Sequence, residues 1–295
     1  MTQYHFIDAE KANDRAGCNI RRLCALLQVS RAGYYAWRSR PLSKRAREDM
    51  LLLTHIKAEF TASHYSYGRP RMVAELQEKD FNVSHIRVGR LMRDNGIKAV
   101  HTRKKRHHRK GIVPSLGFAA NILEQDFNAF APNQKWGVDI SYIATSKGWL
   151  YLAVVMDLYS RRIVGWHISD RMKRDLALNA LKMAIVLRKP AAGLIHHSDR
   201  GSQYTSTDYQ MLLKQYGIQP SMSGKGNCFD NAAVETFFKT LKAELVWCIN
   251  FKTREQATRI INDYIMNFHN RRSRHSTLGN ISPMMYEKLE QGHIK

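Results

Sequence analysis

Apolar positions along this chain change texture near its middle. Before about residue 100 they recur at helical spacing, as in Leu23, Leu26 and Leu27, then Met72, Val73 and Leu76, then Val88, Leu91 and Met92. From about residue 129 they gather into short strand-like runs: Trp136–Ile143, Trp149–Met156, Arg162–Ile168, Gly193–His197 and Ile218–Met222. The first part predicts small helices and the second a sheet.

In the helical part, Asn19 caps a helix over Ile20–Leu27, and Val29-Ser30 makes a turn. Ser30 then caps Arg31–Arg38, and Pro41 ends the unit. This is helix-turn-helix spacing, although short helix pairs also serve plain packing. A basic helix follows over Leu42–Phe60. A second unit opens at Tyr67-Gly68-Arg69-Pro70, with Pro70 in the first helical turn, and breaks at Lys79-Asp80-Phe81-Asn82. Ser84 caps Ile86–Asp94, where Arg87, Arg90 and Arg93 recur opposite the apolar face. Such a stripe suits phosphate contacts or base reading; a solvated face would look the same. Met1 to Gly17 carries no readable pattern.

In the strand part, Asp157–Arg161 turns between the second and third runs. Asp170 caps a helix through Leu176, Leu178, Leu181, Ala184 and Ile185 that ends before Pro190. Thr205-Ser206-Thr207-Asp208 starts another, stopped by Gly217, and Asp230-Asn231 starts a third that places Glu235 in its second turn. Three antiparallel strands followed by alternating helices and strands predict an α/β fold, a mixed five-stranded sheet with flanking helices, behind an all-α region. The expected domains are 17–60 and 61–100 (helical, DNA-binding), 101–128 (basic linker) and 129–290 (sheet and helical tail).

Charge narrows the partners. Forty-seven Lys and Arg face 25 Asp and Glu, a net +22 over 295 residues. Residues 1–125 carry 24 basic against 11 acidic side chains, or +13, and the remainder +9, so the excess is not one basic tail. A field of this sign favours a polyanion, most simply nucleic acid; a ribosomal or membrane-surface protein is the plainer reading. Residues 101–111 hold six basic residues, among them Arg103, Lys104, Lys105 and Arg106, and suit contact along a phosphate backbone. Cys18, Cys24, Cys228 and Cys248 form no CxxC pair and read as free thiols. No run is long enough to span a bilayer, which predicts a cytoplasmic protein without a membrane partner.

Three carboxylates stand at the ends or inside of these elements. Asp139 lies in the first run, Asp199 follows the fourth, with Gly201 allowing a turn, and Glu235 comes after a spacer of 35 residues. Carboxylates gathered at one sheet edge repel unless a cation neutralises them, and Mg²⁺ prefers oxygen donors. Glu235, Lys239 and Lys242 fall at i, i+4 and i+7, one helix face, so the lysines could meet DNA bound there, or could be a surface ion pair.

The segments Trp136–Asp139, His197-Ser198-Asp199-Arg200-Gly201-Ser202-Gln203-Tyr204, Ser221–Cys228, Asp230-Asn231-Ala232 and Glu235 with Phe237-Phe238 resemble the catalytic domain of DDE transposases and retroviral integrases. More narrowly, the chain resembles the second-frame (OrfB) product of the insertion-sequence family numbered three. The tail agrees at Tyr264, Asn267, Asn270-Arg271-Arg272, His275 and Ser282-Pro283, and the front at Val29–Trp37 and Arg87–Met92. Two positions depart from the family pattern, Gly68-Arg69-Pro70 and Asn280, and neither touches the carboxylates.

The resemblance implies an RNase H-like fold and a triad of Asp139, Asp199 and Glu235. It implies Mg²⁺ as cofactor, two ions, with Mn²⁺ able to substitute. It implies cleavage at the ends of an element and transfer of the freed 3′-hydroxyl to a second phosphodiester, hence DNA integration and recombination. Double-stranded DNA, both element ends and target, is the expected partner, contacted by Lys225, Lys239, Lys242, Arg87, Arg90, Arg93 and residues 103–106. A homo-oligomer on DNA, an upstream-frame partner or fusion, and a bacterial, nucleoid-associated location complete the expectation. A non-catalytic regulator of transposition, or a nuclease of the same fold that never joins strands, are the competing readings.

Overall fold

In the computed structural model, residues 3–12, 19–100, 119–224, 231–290 and 292 are described. The chain divides into two compact units, Met1–His55 and Ile56–Lys295.

The first unit contains α1 (Gln3–Ala12), α2 (Ile20–Leu26), α3 (Arg31–Ser39) and the start of α4 (Lys44–Ala62). Asn19 and Ser30 cap α2 and α3 by accepting from the Arg21 and Gly33 N–H groups. The small core is Ile7, Cys24 and Tyr34, with Ile20, Leu23, Leu27 and Trp37 packed around it. The Tyr34 hydroxyl donates to Asp8 at 2.8 Å. Two expectations change. The opening segment holds α1, a polar helix whose one buried side chain, Ile7, is too little for a periodic signal. The inner stripe of α2 is Ile20, Leu23, Cys24 and Leu27; Leu26 is 71% exposed, because 100° per residue turns it away from that stripe.

In the second unit, α5 (Arg69–Glu78) and α6 (His85–Asp94) bury Met72, Val73, Leu76, Val88, Leu91 and Met92, as their spacing predicts. They are fixed to the C-terminal tail. The Tyr67 hydroxyl donates to the Arg272 carbonyl (2.9 Å) and accepts from the Arg274 N–H (3.1 Å). The nearly buried Arg274 side chain donates to Glu75 at 2.8 Å and also pairs with Glu78.

The sheet contains β1 (Lys135–Thr145), β2 (Gly148–Asp157), β3 (Ile163–Ser169), β4 (Ile195–Ser198) and β5 (Gln219–Met222). Its order is β3-β2-β1-β4-β5. The β1–β2 and β2–β3 pairs are antiparallel, and β1–β4 and β4–β5 are parallel. Between β3 and β4 runs α7 (Arg174–Arg188), and between β4 and β5 run α8 (Ser202–Thr205) and α9 (Thr207–Gln215). Helix α7 lies hard against β3: a Cβ on Gly165 would come within 2.2 Å of the Ala180 carbonyl oxygen, so only glycine fits. Trp136, Val138, Val155, Leu181 and Tyr209 belong to one buried cluster that joins the sheet to these helices. The sequence therefore predicts the sheet correctly. It misplaces one cap: α7 starts at Arg174 after Lys173, and Asp170 instead pairs with Arg254 at 3.5 Å. It also omits the single turn of α8.

After the sheet come α10 (Ala232–Leu241), continued by a wider turn over Lys242–Val246, then α11 (Arg254–Asp263) and α12 (Pro283–Glu290). The tail is pinned to the sheet by charge. Glu287 of α12, 3% exposed, accepts from Ser160 (2.7 Å), Arg162 (2.7 Å) and both terminal nitrogens of Arg188 (2.9 and 2.8 Å). The Arg188 guanidinium also meets the fully buried Asp157 at 2.9 Å. Burial alone would raise the Glu287 carboxyl, but Arg188, Ser160 and Arg162 together hold it below the usual carboxylate range.

Candidate active site

Strand register places the two aspartates level with one another. Gly137 of β1 is opposite His197 of β4 in the parallel pair, so Asp139 and Asp199 each stand two residues beyond that pair. Alternation along β1 puts Asp139 on the same face as Gly137. That face meets α10: a Cβ on Gly137 would lie 2.8 Å from a Val234 methyl and 3.5 Å from the Asn231 side-chain oxygen. The Asn231 amide, buried, donates to the Val138 carbonyl at 2.8 Å. One hydrogen bond and one missing side chain thus dock the helix bearing Glu235 onto the strand bearing Asp139. Glu235 is the fourth residue of α10 and sits in its first turn, one turn earlier than predicted.

The charges of the other two carboxylates reach Asp139. Burial pushes the Asp139 carboxyl up to about 7; the Ile140 N–H, donating at 2.8 Å, pulls it down. The negative charges of Asp199 and Glu235 raise it further, and the Lys242 ammonium opposes them. Asp199 is exposed at the end of β4, where the Gly201 N–H donates to its carboxylate at 2.9 Å. Gly201 has φ −61°, open to any residue. A Cβ there would sit 2.9 Å from that same Asp199 oxygen, so a larger residue would push the Asp199 carboxylate aside. Glu235 is met by Lys239 at 3.2 Å, and the Lys242 ammonium lies 4.8 Å over the Tyr142 ring.

Beneath Asp199 is a buried polar network. Ser221 Oγ accepts from the Ile122 and Leu123 N–H groups (2.9 and 3.1 Å), so its own proton points to His197 Nδ1 at 2.9 Å. His197 Nε2 then donates to Ser223 (3.0 Å), whose hydroxyl donates to the Ser198 carbonyl at 3.3 Å. Tyr204 lies alongside, 2% exposed, its hydroxyl raised by burial first and then by the charges of Asp139, Tyr209 and Asp199. Sequence reasoning passed over Asn231 and Tyr204 as site-builders. A buried amide before a helix and an aromatic five residues after an aspartate were the available signals.

Among the described residues, no three His, Cys, Asp or Glu side chains are gathered closely enough to hold a metal ion. The donors present nevertheless suit Mg²⁺: they are all carboxylate oxygens, and mutual repulsion acts on Asp139 where a cation would relieve it. Of the other predicted contacts, Arg87 and Arg90 are half-buried on α6, Arg90 pairing with Asp94 at 3.8 Å, and Arg93 is exposed. Lys225, Arg103, Lys104, Lys105, Arg106, Cys18 and Cys228 lie outside the described residues. Cys24 and Cys248 are free thiols. No described helix is long and apolar enough to cross a membrane.

Comparison with known proteins agrees with this architecture. Residues 129–228 match the family described as Integrase core domain, residues 235–290 match a second family of that description, and residues 46–106 match the HTH-like domain. The transposase InsF for insertion sequence IS3A of Escherichia coli (strain K12) is 40% identical over 292 residues, spanning 97% of this chain and 98% of that protein. A 31 kDa protein of insertion element IS600 from Shigella sonnei is 42% identical over 91% of this chain and 99% of its own length. The HTLV-2 integrase catalytic core domain, solved in complex with magnesium, aligns with 54% of this chain at 18% identity and a TM-score of 0.43. On the identity and coverage of its insertion-sequence relatives, the chain belongs to the IS3-type transposases, polynucleotidyl transferases of DNA transposition.

Proposed function

We propose that the chain cleaves phosphodiester bonds at the ends of its insertion element and joins each freed 3′-hydroxyl to a second phosphodiester, with Asp139, Asp199 and Glu235 as catalytic carboxylates. The observation that carries this reading is the β1–β4 register that sets Asp139 level with Asp199, together with the Asn231–Val138 hydrogen bond that docks the Glu235 helix on the Asp139 strand. Asp139, Asp199 and Glu235 would hold Mg²⁺, two ions, with Mn²⁺ as a substitute; bound there, such ions supply charge neutralisation at the attacking and leaving oxygens of an in-line displacement.

The chain's own groups do the rest. Gly137 and Asn231 keep α10 seated, so the glutamate stays level with the aspartates. Lys239 and Lys242 present ammonium groups on the Glu235 face, where a DNA phosphate would meet them. Arg87, Arg90 and Arg93, residues 103–106 and Lys225 add further contacts to the DNA backbone. Positioning and charge stabilisation then carry the reaction, with no covalent enzyme intermediate. Regions 17–60 and 61–100 act as DNA-binding units joined through the 101–128 linker to the 129–290 core. Bringing two double-stranded element ends together calls for a homo-oligomer on DNA, and the family pattern adds an upstream-frame partner or fusion and a nucleoid-associated location.

The test is a strand-transfer assay with the full chain, labelled element-end duplexes and Mg²⁺. Joined products that vanish with a chelator are expected. Nicking without joining would leave only a nuclease, and binding without nicking only a regulator. In the same assay, Lys242→Ala should lower joining roughly tenfold, the cost of one charge-assisted phosphate contact. Wild-type joining by that variant at moderate salt would return Lys242 to a surface role over Tyr142.

A further inference from the structure

A cavity of about 310 Å³ lies against a different face of α10 from the one that carries Glu235. Its wall on that helix includes Ala233, Thr236 and Phe237, and Arg71, Arg161 and His275 close it from α5, the β2–β3 turn and the tail. The polar groups around it are incompletely used. Nη1 of Arg161 and Nε2 of His275 are both buried with no hydrogen-bond partner among the described residues. The Arg71 guanidinium lies over the Tyr67 ring, 5.9 Å from its centroid, and its charge lowers the buried Glu244 carboxyl against the effect of burial. Two guanidiniums lining one space repel one another, and a buried polar nitrogen left without a partner costs about 1–3 kcal/mol. An anion with several acceptor oxygens resolves both problems.

We propose that this cavity is a binding site for a phosphate group, free or carried on a nucleotide, held between Arg71, Arg161 and His275. Guanidinium forks match phosphate geometry, and the hydroxyls of Ser273 and Thr277 in the same lining supply further donors. The cavity exceeds what a bare phosphate needs, and the apolar surfaces of Phe127, Met156 and Phe237 could cover an attached ring. Since α10 forms one wall, an occupant would stiffen the helix that carries Glu235. Binding itself needs neither metal nor reaction, so it stands or falls apart from the transposition chemistry.

The experiment follows the His275 imidazole resonance by NMR in the full, metal-free chain, assigned by its loss in His275→Gln. Sodium phosphate and deoxyadenosine monophosphate are titrated separately against chloride at constant ionic strength. A resonance is used rather than melting temperature because phosphate stabilises proteins generically. A saturable shift is expected, with half-saturation weakened about tenfold or more in Arg161→Gln and in Arg71→Gln. Tighter saturation by the nucleotide identifies a nucleotide phosphate as the ligand; equal or tighter saturation by phosphate identifies the free ion. Ala233→Leu, which fills the cavity from the helix side and leaves the guanidiniums in place, should also abolish the shift. A linear, non-saturating response, or saturation unchanged in Ala233→Leu or in both arginine variants, overturns the proposal.

Discussion

Replacing Asp199 by asparagine is expected to lower end cleavage and strand joining about 10³-fold or more while leaving DNA binding at moderate salt nearly unchanged. Asp139→Asn and Glu235→Gln should behave alike, because three groups that act as one unit fail together. Binding survives because phosphate affinity comes from the basic excess, and these changes remove acid, not base. Asp139→Asn offers a control that a misfolded variant could not imitate. The Asp139 carboxyl is raised to about 7, chiefly by burial. A raised folded-state value means stability present at low pH and lost as pH rises through 7. At pH 8, without metal, the ionised carboxylate therefore strains the fold by on the order of 4 kcal/mol as an upper bound. Asparagine carries no charge and keeps an oxygen for the Ile140 N–H. The variant should unfold at higher temperature than wild type at pH 8 in chelator, and the advantage should shrink to about 1.5 kcal/mol near pH 5 and vanish below about pH 4. Activity falling while stability rises is the signature of a site strained for its function. Joining by Asp199→Asn at a wild-type rate would remove the carboxylates from the mechanism.

Much of this was legible in the residues. Periodicity found the helices over residues 20–94 because each buries one clear stripe, and the strands because their apolar runs are short and bounded by turns. The resemblance put Asp139, Asp199 and Glu235 in one group, and the β1–β4 register with the Asn231 contact gives that grouping a physical basis. Other features left no local trace. Ile7 alone buries α1, so its helix has no repeat to read. The Glu287 cluster joins residues 99 to 127 positions apart, and an acid beside a lysine near the tail looks like any solvated helix. Gly137 and Gly165 are fixed by what would strike an added Cβ, which depends on packing alone. His196 and His197 stand just before Asp199 in sequence, and the structure makes them hydrogen-bonded core residues.

Acid should destabilise the metal-free chain well before its ordinary surface carboxylates are protonated, and the buried histidines set that outcome. His196 is lowered to about 3 by burial, with Tyr209 at 2.9 Å from its Nε2. His269 is lowered to about 4 by burial against its contact with the Arg161 carbonyl, and His275 to about 3 by burial with His269, Arg71 and Arg161 adding to the push. A histidine depressed in the folded state stabilises fully above its unfolded value near 6.5, and the contribution is lost as pH falls below that. Between pH 7 and 5 each loses roughly 2 kcal/mol, about 5–6 kcal/mol for the three. Asp139 works in the opposite sense, gaining about 2 kcal/mol over the same interval as it takes up its proton. The histidines win, and a net loss of about 3 kcal/mol is a large share of the 5–15 kcal/mol typical of a domain. Urea unfolding at pH 7, 6 and 5 in chelator should show the midpoint falling at each step, and Asp139→Asn should fall more steeply because its offset is gone. A midpoint that holds or rises toward pH 5 would mean that these imidazoles take up protons inside the fold. The polar cavity beside His275 would then be open to water, not shielded by the helix that carries Glu235.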